Sequence, residues 1–234
     1  IYIPLRFWFN RNVGLALPLI SLQYNEVKII LSMKTTISDI IINNKVLLVN
    51  YIYLDTDERR RFGKVNHEYL IEQVQFTGQE TLSITDSHID LTFNHPIKSL
   101  FWTTEGKGFI KTANLQLNGH DRFQKLDADY FHLIQPYECF LGHSYKMYLN
   151  ESHLNNRKWI SKPDRCSAAT PVGMYSFCLK PNDHQPSGSC NFSRIDNCRL
   201  NYLGGGQTDI LYLFGLNYNV LRIMNGMGGL VYSN

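Results

Sequence analysis

The sequence predicts an all-β protein, an antiparallel sandwich with a few short helices in its loops. Three observations predict it. Aromatic residues make up 13% of the chain, and Tyr and Phe favour the pleated, half-buried surface of a sheet. Apolar and polar residues alternate with a period of two along several short segments. Turn chemistry recurs between those segments, while helical periodicity is scarce.

Taken in order, Ile1 to Phe9 is β-rich and aromatic, Asn10-Arg11-Asn12-Val13-Gly14 is turn chemistry, and Pro18 breaks any helix. Residues 22–31 alternate in part, with Val27, Ile29 and Leu31 opposite Tyr24, Glu26 and Lys28. Residues 1–34 therefore read as two strands. Two strands make no stable unit alone, so they belong to a sheet whose other strands lie elsewhere. Residues 35–44 read as a connector. A strand is expected over 45–54, with Val46, Leu48, Ile52 and Leu54 on one face, and Asp55-Thr56-Asp57-Glu58 starts a short helix.

Further strands are expected at Tyr69–Thr77, Ile89–Phe93, Ser99–Thr104 and Ala113–Leu117, followed by a turn at Asn118-Gly119, a dipeptide that tolerates positive φ. Asp127 is expected to cap a helix reaching Ile134. Residues 138–171 are polar and irregular and read as a long surface loop, with a weak strand near 145–149. Strands at Gly173–Leu179 and Cys190–Tyr202 would be joined through a type I turn at Gln185-Pro186-Ser187-Gly188. Gly204–Gly206 reads as a turn and Ile210–Met224 as a strand. Gly226-Met227-Gly228-Gly229 reads as a kinked connection to a last strand at 230–232. Residues 45–234 contain no internal repeat.

Composition narrows the function classes. Hydrophobic residues at 44% and charged residues at 18% are globular values. A net charge of +3 is not that of a nucleic-acid binder, and the one basic run, Arg59-Arg60-Arg61, is offset by Asp55, Asp57 and Glu58 beside it. The five cysteines, Cys139, Cys166, Cys178, Cys190 and Cys198, form no C-x-x-C pair. Cys178 and Cys190 read as small buried hydrophobes, and reduced thiols and folding in the cytosol are expected. No apolar run approaches the roughly 18 residues of a membrane span, and no signal-peptide pattern opens the chain. The first residue is Ile1, so the expectation is that the numbering starts inside a longer polypeptide.

Chemistry-bearing motifs are missing. The eight histidines show no H-x-H spacing. His67-Glu68 begins like a zinc-protease motif, but Ile71 stands where the second His belongs. Asp55-Thr56-Asp57 begins like a calcium loop, but Arg60 replaces its glycine. Neither a G-x-S-x-G elbow nor a helix after the 226–229 glycines is present. The sequons at Asn150 and Asn191 are chance matches on the expectation of reduced thiols. Arg194 and Asp196 are expected on one face of one strand. Arg222, amid apolar residues, is expected to meet a buried or interfacial acid. The site expectation is therefore no catalytic residue, no cofactor and no metal ligand.

Five blocks carry a resemblance. Gln185-Pro186-Ser187-Gly188-Ser189-Cys190-Asn191-Phe192-Ser193-Arg194-Ile195-Asp196-Asn197 resembles a signature of the major capsid proteins of large icosahedral nucleocytoplasmic DNA viruses. The stretch from Asn217 to Leu230, the blocks His67–Gln73 and Leu117–Phe123, and Gly14-Leu15-Ala16-Leu17-Pro18 resemble the same family, in family order. The chlorella virus and mimivirus-like members are the most similar, and residues 138–171 depart most from the pattern. The resemblance implies a double jelly roll, with 1–34 the last strands of a first jelly roll and 45–234 the second, C-terminal one. It implies a homotrimer forming a pseudo-hexameric capsomer that tiles an icosahedral shell. Its implied partners are neighbouring capsomers and minor capsid and penton proteins, with no direct nucleic acid and no transmembrane segment. It also implies a place in the virion capsid after assembly in the host cytoplasm. Two other classes stay open beside it. A carbohydrate-binding β-sandwich would need exposed aromatics, for which Trp102 and Trp159 are candidates. A cupin-type enzyme would need the missing histidine pattern.

Overall fold

In a computed structural model, residues 2–32, 46–106, 108–140 and 172–232 are described. Two compact units divide them, one from residues 72–219 and one from residues up to 71 together with 220–232.

The 72–219 unit is a two-sheet sandwich. Strands β1 (His67–Leu82), β2 (Asp86–Asp90), β3 (Pro96–Thr104) and β4 (Phe109–Leu117) are followed by the short β5 (His120–Asp121) and β6 (Leu126–Asp127). After them come β7 (Gly173–Ser176), β8 (Cys190–Asn191), β9 (Cys198–Gly205), β10 (Asp209–Met224) and β11 (Met227–Leu230). One sheet has the order β1-β10-β3-β7, with β8 on β3 and β11 on β10. The other has the order β2-β9-β4-β5, with β6 on β4. The pairing is nested: β1 joins β10 in one sheet, β2 joins β9 in the other, and the chain alternates between sheets. That is a jelly roll, and every pair given a register is antiparallel.

Alternation explains which side chains fill the space between the sheets. In β10 and β3, Leu213 lies opposite Trp102 and Leu211 opposite Thr104, all buried, while Tyr212, Phe214 and Phe101 take the outer face. In the second sheet the row Ile89–Leu200–Leu115 is buried, and the neighbouring row His88–Asn201–Asn114 points outward. Phe131, Phe192, Ile97 and Tyr175 complete one contiguous core. Each such side chain contributes about 1.5–3 kcal/mol when fully buried.

Helix α1 (Thr56–Lys64) starts where the acids predict it. Asp55 accepts hydrogen bonds from the Asp57 and Glu58 backbone N–H groups at 3.0 and 3.1 Å, the action of a helix N-cap. Ile89, Leu91 and Phe93 are buried in alternation with exposed Asp90, Thr92 and Asn94, as expected.

Several elements differ from expectation. Residues 2–32 form short 3-10 turns at Trp8–Asn10 and Val13–Leu15 and no strand, and the described residues 46–55 form no strand either. An apolar face makes a strand only when a neighbour takes its backbone hydrogen bonds, and these segments have no ladder among the described residues. Asp127 ends β6 and stands directly before the helical residues, which start at Ala128 as expected but do not stop at Ile134: they run through a π-turn, Tyr130–Ile134, into α2 (Gln135–Phe140). The tight turn before the signature block lies at Lys180–Asp183, where Asp183 N–H bonds the Lys180 carbonyl and Pro181 presets the second position. It does not lie at 185–188. Cys190–Tyr202 is not continuous, because Asn191 accepts from Ser193 N–H and turns residues 192–194 into a 3-10 helix. Gly204 and Gly205 belong to β9. A Cβ at Gly204 would stand 1.8 Å from the Ser83 carbonyl oxygen, so glycine there serves close approach and not a turn. Asn225-Gly226, both at positive φ, form the last hairpin turn, and Met227–Leu230 is the strand it leads to. The weak strand near 145–149 and most of the 138–171 loop lie outside the described residues.

The Asn118-Gly119 turn matches expectation, with φ of 51° and 80° between paired Leu117 and His120. Two positive φ values make this a type I′ hairpin, whose twist suits the flanking strands. Gly119→Val places a β-branched residue in that region and is expected to destabilise the fold by more than about 1 kcal/mol. Equal denaturant midpoints for variant and wild type would refute the assignment.

Candidate interaction surfaces and internal clasps

The signature blocks meet one another in space. Asn118, from the 117–123 block, donates its backbone N–H to the Asn197 carbonyl at 2.7 Å, and its side-chain oxygen accepts from Asn197 N–H at 3.0 Å. This pair ties the β4–β5 turn to the end of the 185–197 block. Within that block Phe192 is buried in the core. Its N–H bonds the His95 carbonyl, while Ser193 Oγ accepts from His95 N–H at 2.8 Å. Asn219 Nδ2 donates to Gln73 Oε1 at 2.9 Å, joining the 67–73 and 217–230 blocks. The blocks are therefore clasps between distant parts of the chain.

A buried ion pair lies nearby. Lys98 on β3 donates to Glu72 on β1, and the two side chains are 0% and 8% exposed. The Tyr218 ring lies 5.3 Å from the Lys98 ammonium. Burial, followed by the charges of Cys178 and Glu72, pushes the Tyr218 hydroxyl up to about 12. Charges this deep are tolerated only when paired.

Arg194 and Asp196 are exposed and lie on no strand, which removes the shared face expected for them. Arg222 meets Glu68, Nε to Oε1 at 2.7 Å, with side chains 48% and 58% exposed, so the acid is neither buried nor deep. At such exposure the pair is worth under about 1 kcal/mol. Cys178 and Cys198 are buried and Cys190 half-buried, so Cys190 is less enclosed than expected. These three and Cys139 are free thiols, and burial pushes Cys198 up to about 12. Cys166 lies outside the described residues. Trp102 is 3% exposed and packs edge-on to Phe131, so it offers no stacking platform for a sugar. Trp159, Asn150, His143 and His153 lie outside the described residues. Among the described residues no group of three or more His, Cys, Asp or Glu side chains could hold a metal ion. Nor is any helix there long and apolar enough to cross a membrane.

Two outer faces remain. The first sheet carries an aromatic row, with Phe76 stacked 4.9 Å from Phe214 and 6.1 Å from Tyr212. The second sheet carries a shallow polar groove of ≈ 310 Å³ lined by Asp86, Ser87, His88, Asn114, Lys125, Asn201 and Tyr202. Lys125 bridges to Asp86 at 2.7 Å and Asn114 bonds Asp121 at 3.1 Å, so much of the groove's polarity is already satisfied internally. Sequence reasoning missed Glu72 and Lys98 because the alternation that marks strands says nothing about which distant strands become neighbours. Only the Asn118-Gly119 turn residues gave a local signal.

The described residues thus form a nested jelly roll with a packed core, linked by polar clasps. Residues 58–109 and 161–229 match the family described as large eukaryotic DNA virus major capsid protein. Residues 1–58 match the major capsid protein N-terminus. The chain is 47% identical along its whole length to the major capsid protein of Pyramimonas orientalis virus, covering 61% of that protein. It is 35% identical to that of Paramecium bursaria Chlorella virus 1, covering 66% of it. Among solved structures, a chain of the PBCV-1 virus capsid matches all of it with a TM-score of 0.72 and 32% identity, 70% of that chain being covered. The chain belongs to the major capsid protein family of large eukaryotic DNA viruses, a family of structural proteins and not enzymes, and it spans 61–66% of the length of these two relatives.

Removing one partner of the Lys98–Glu72 pair strands the other charge. Lys98→Ala is expected to cost about 3–5 kcal/mol, whereas Lys98→Met with Glu72→Leu recovers most of the loss. Urea denaturation of the three proteins checks this. A double variant no better than the single one would show that packing, not charge, holds the site.

Proposed function

We propose that this chain is the C-terminal part of a major capsid protein whose trimers form pseudo-hexameric capsomers of an icosahedral shell. The observation that carries this reading is the 47% identity along the whole chain to a major capsid protein, joined to a jelly roll that the signature residues hold together. Two jelly rolls per chain and three chains per capsomer place six similar sandwiches about one axis. Neighbouring capsomers and minor capsid and penton proteins are the proposed partners, and the host cytoplasm is the proposed place of assembly. Nucleic acid has no direct part in it. The full-length protein is expected to be a trimer by light scattering. Monomer alone over a wide concentration range would overturn this reading.

Within the chain, residues 1–34 are proposed to be the last strands of the first jelly roll, 35–44 a linker, and 45–234 the second jelly roll. Exposure supports the first part. Tyr2, Ile3, Ile30 and Leu31 are 91%, 75%, 86% and 54% exposed, an arrangement that suits strands completed by a neighbouring sheet. The piece 45–234 is expected to give a larger soluble fraction and a sharper monomer peak than 1–234, because unpaired edges and apolar faces invite aggregation. Better behaviour of 1–234 would put the first two segments in the domain that follows them.

A further inference from the structure

We infer that His132 is an acid-sensitive latch that holds the 130–140 helical segment over the edge of β7. The inference goes beyond the assembly role and rests on the geometry of one ring.

His132 sits in the π-turn Tyr130–Ile134, which closes with Gln135 N–H donating to the Tyr130 carbonyl, five residues back. Such turns are rare and persist where a specific side chain must be aimed. Phe131, the neighbour of His132, is 1% exposed and packs against Trp102 and Phe123. His132 reaches a void of ≈ 10 Å³ that it shares with Trp102, Thr103, Thr104, Phe109 and Ile110. One ring nitrogen bonds the Val172 backbone. The other, Nδ1, is buried with no partner among the described residues. The void is at the lower limit of what one water needs.

A neutral ring fits this arrangement. Its bonded nitrogen carries the proton and donates to Val172, while Nδ1 is left as a bare acceptor, a modest cost. An imidazolium does not fit, because Nδ1–H would be a buried charged donor without an acceptor. None of the side chains from β3 and β4 that line the void is ionisable. Asp129, on the same segment, favours the charged ring, as does the Val172 carbonyl, but burial outweighs both and holds His132 below the ordinary histidine range. The sign follows. The folded state keeps His132 neutral and the unfolded state binds a proton below about 6.5, so the stabilisation is present above that value and lost as pH falls through it.

What the latch holds is specific. Gln135, 6% exposed, accepts at Oε1 from Ser176 N–H at 3.0 Å and donates from Nε2 to the Tyr130 hydroxyl at 2.9 Å. Ser176 ends β7, the last strand on its side of the sheet among the described residues. Expelling the His132 ring lets the π-turn relax toward an α-helix, which rotates every following residue by about 100°. Gln135 then leaves Ser176, and an edge N–H is uncovered.

Hydrogen exchange on the 1–234 chain, corrected for intrinsic rates and followed by mass spectrometry, tests this. Between pH 7.5 and pH 5.5 the peptides covering 128–140 and 173–176 are expected to lose up to about tenfold of their protection, the limit for one proton, while β9 keeps its own. His132→Leu, which cannot take a proton, is expected to abolish that difference. Unchanged protection in the wild type, or an equal loss in the variant, overturns the inference. Should His132→Leu fail to fold at pH 7.5, the wild-type ring titrated by NMR decides. A midpoint clearly below 6.5 upholds the latch, and one at or above 6.5 refutes it.

Discussion

The sandwich depends on one corner, where the chain leaves the first sheet at Leu82 and enters the second at Asp86. Tyr202, 2% exposed and the largest fully buried side chain, stands at the middle of β9 and reaches that corner. Its hydroxyl accepts from Ser83 N–H at 3.1 Å and donates to the Thr81 carbonyl at 3.3 Å. Gly204, two residues on, leaves room for the Ser83 carbonyl. Leu82, 0% exposed, drives the corner inward from the other side. A shift of one residue there would turn every inward side chain of β2 outward, because strand faces alternate with a period of two. One hydroxyl, one missing Cβ and one leucine thus set the register on which both sheets rest.

Nested pairing explains the position of the signature residues. Closing β1 on β10 brings together residues separated by most of the sandwich sequence, a costly loop closure that local propensity does not repay. Specific polar contacts at the closing points supply direction. Gln73 with Asn219, Glu72 with Lys98, and Asn118 with Asn197 each join segments far apart in sequence. Their individual net contributions are about 1 kcal/mol for neutral bonds. Their larger effect is to penalise wrong registers, since a slipped strand would leave buried amides or charges unpaired. A protein whose role is shape carries its polar signature inside the fold.

How much of this could be read from the sequence follows from the range of each interaction. Alternation at Ile89, Leu91 and Phe93 gave the inward face, Asp55 gave the helix start, and Asn118-Gly119 gave the hairpin, because each is encoded within a few residues. The strand expected across Cys190–Tyr202 failed at Asn191, whose side chain competes for the backbone it belongs to. Of the glycine turn expected at 204–206, Gly206 does turn, at φ 77° between β9 and β10, but Gly204 is spared for close approach, which looks, in one dimension, like a glycine spared for positive φ. The described residues 2–32 and 46–54 form no strand for a different reason: the pattern supplies a face, but the ladder needs a partner strand. No local pattern could pair Arg222 with Glu68 or Lys98 with Glu72.

Sheet edges are the remaining constraint, and the more so for a subunit proposed to meet many copies of itself. An open edge offers its backbone to any strand that arrives. Gln135 occupies that backbone chemistry at β7, accepting at Oε1 from Ser176 N–H. Gln75 on β1 does the like for a connection and not an edge, donating from Nε2 to the Asn94 carbonyl at 2.7 Å and accepting at Oε1 from Asn94 N–H at 3.0 Å between β2 and β3. A primary amide has the donor and acceptor of a peptide without a chain to propagate, so it ends a ladder where a strand would extend it. Contacts between copies are then left to side chains, whose shapes discriminate between right and wrong neighbours, while backbone edges do not. Gln75 lies on a sixteen-residue strand, whereas Gln135 sits on a short helix that leaves β7 as soon as its own turn changes. The closure of the β7 edge is therefore conditional.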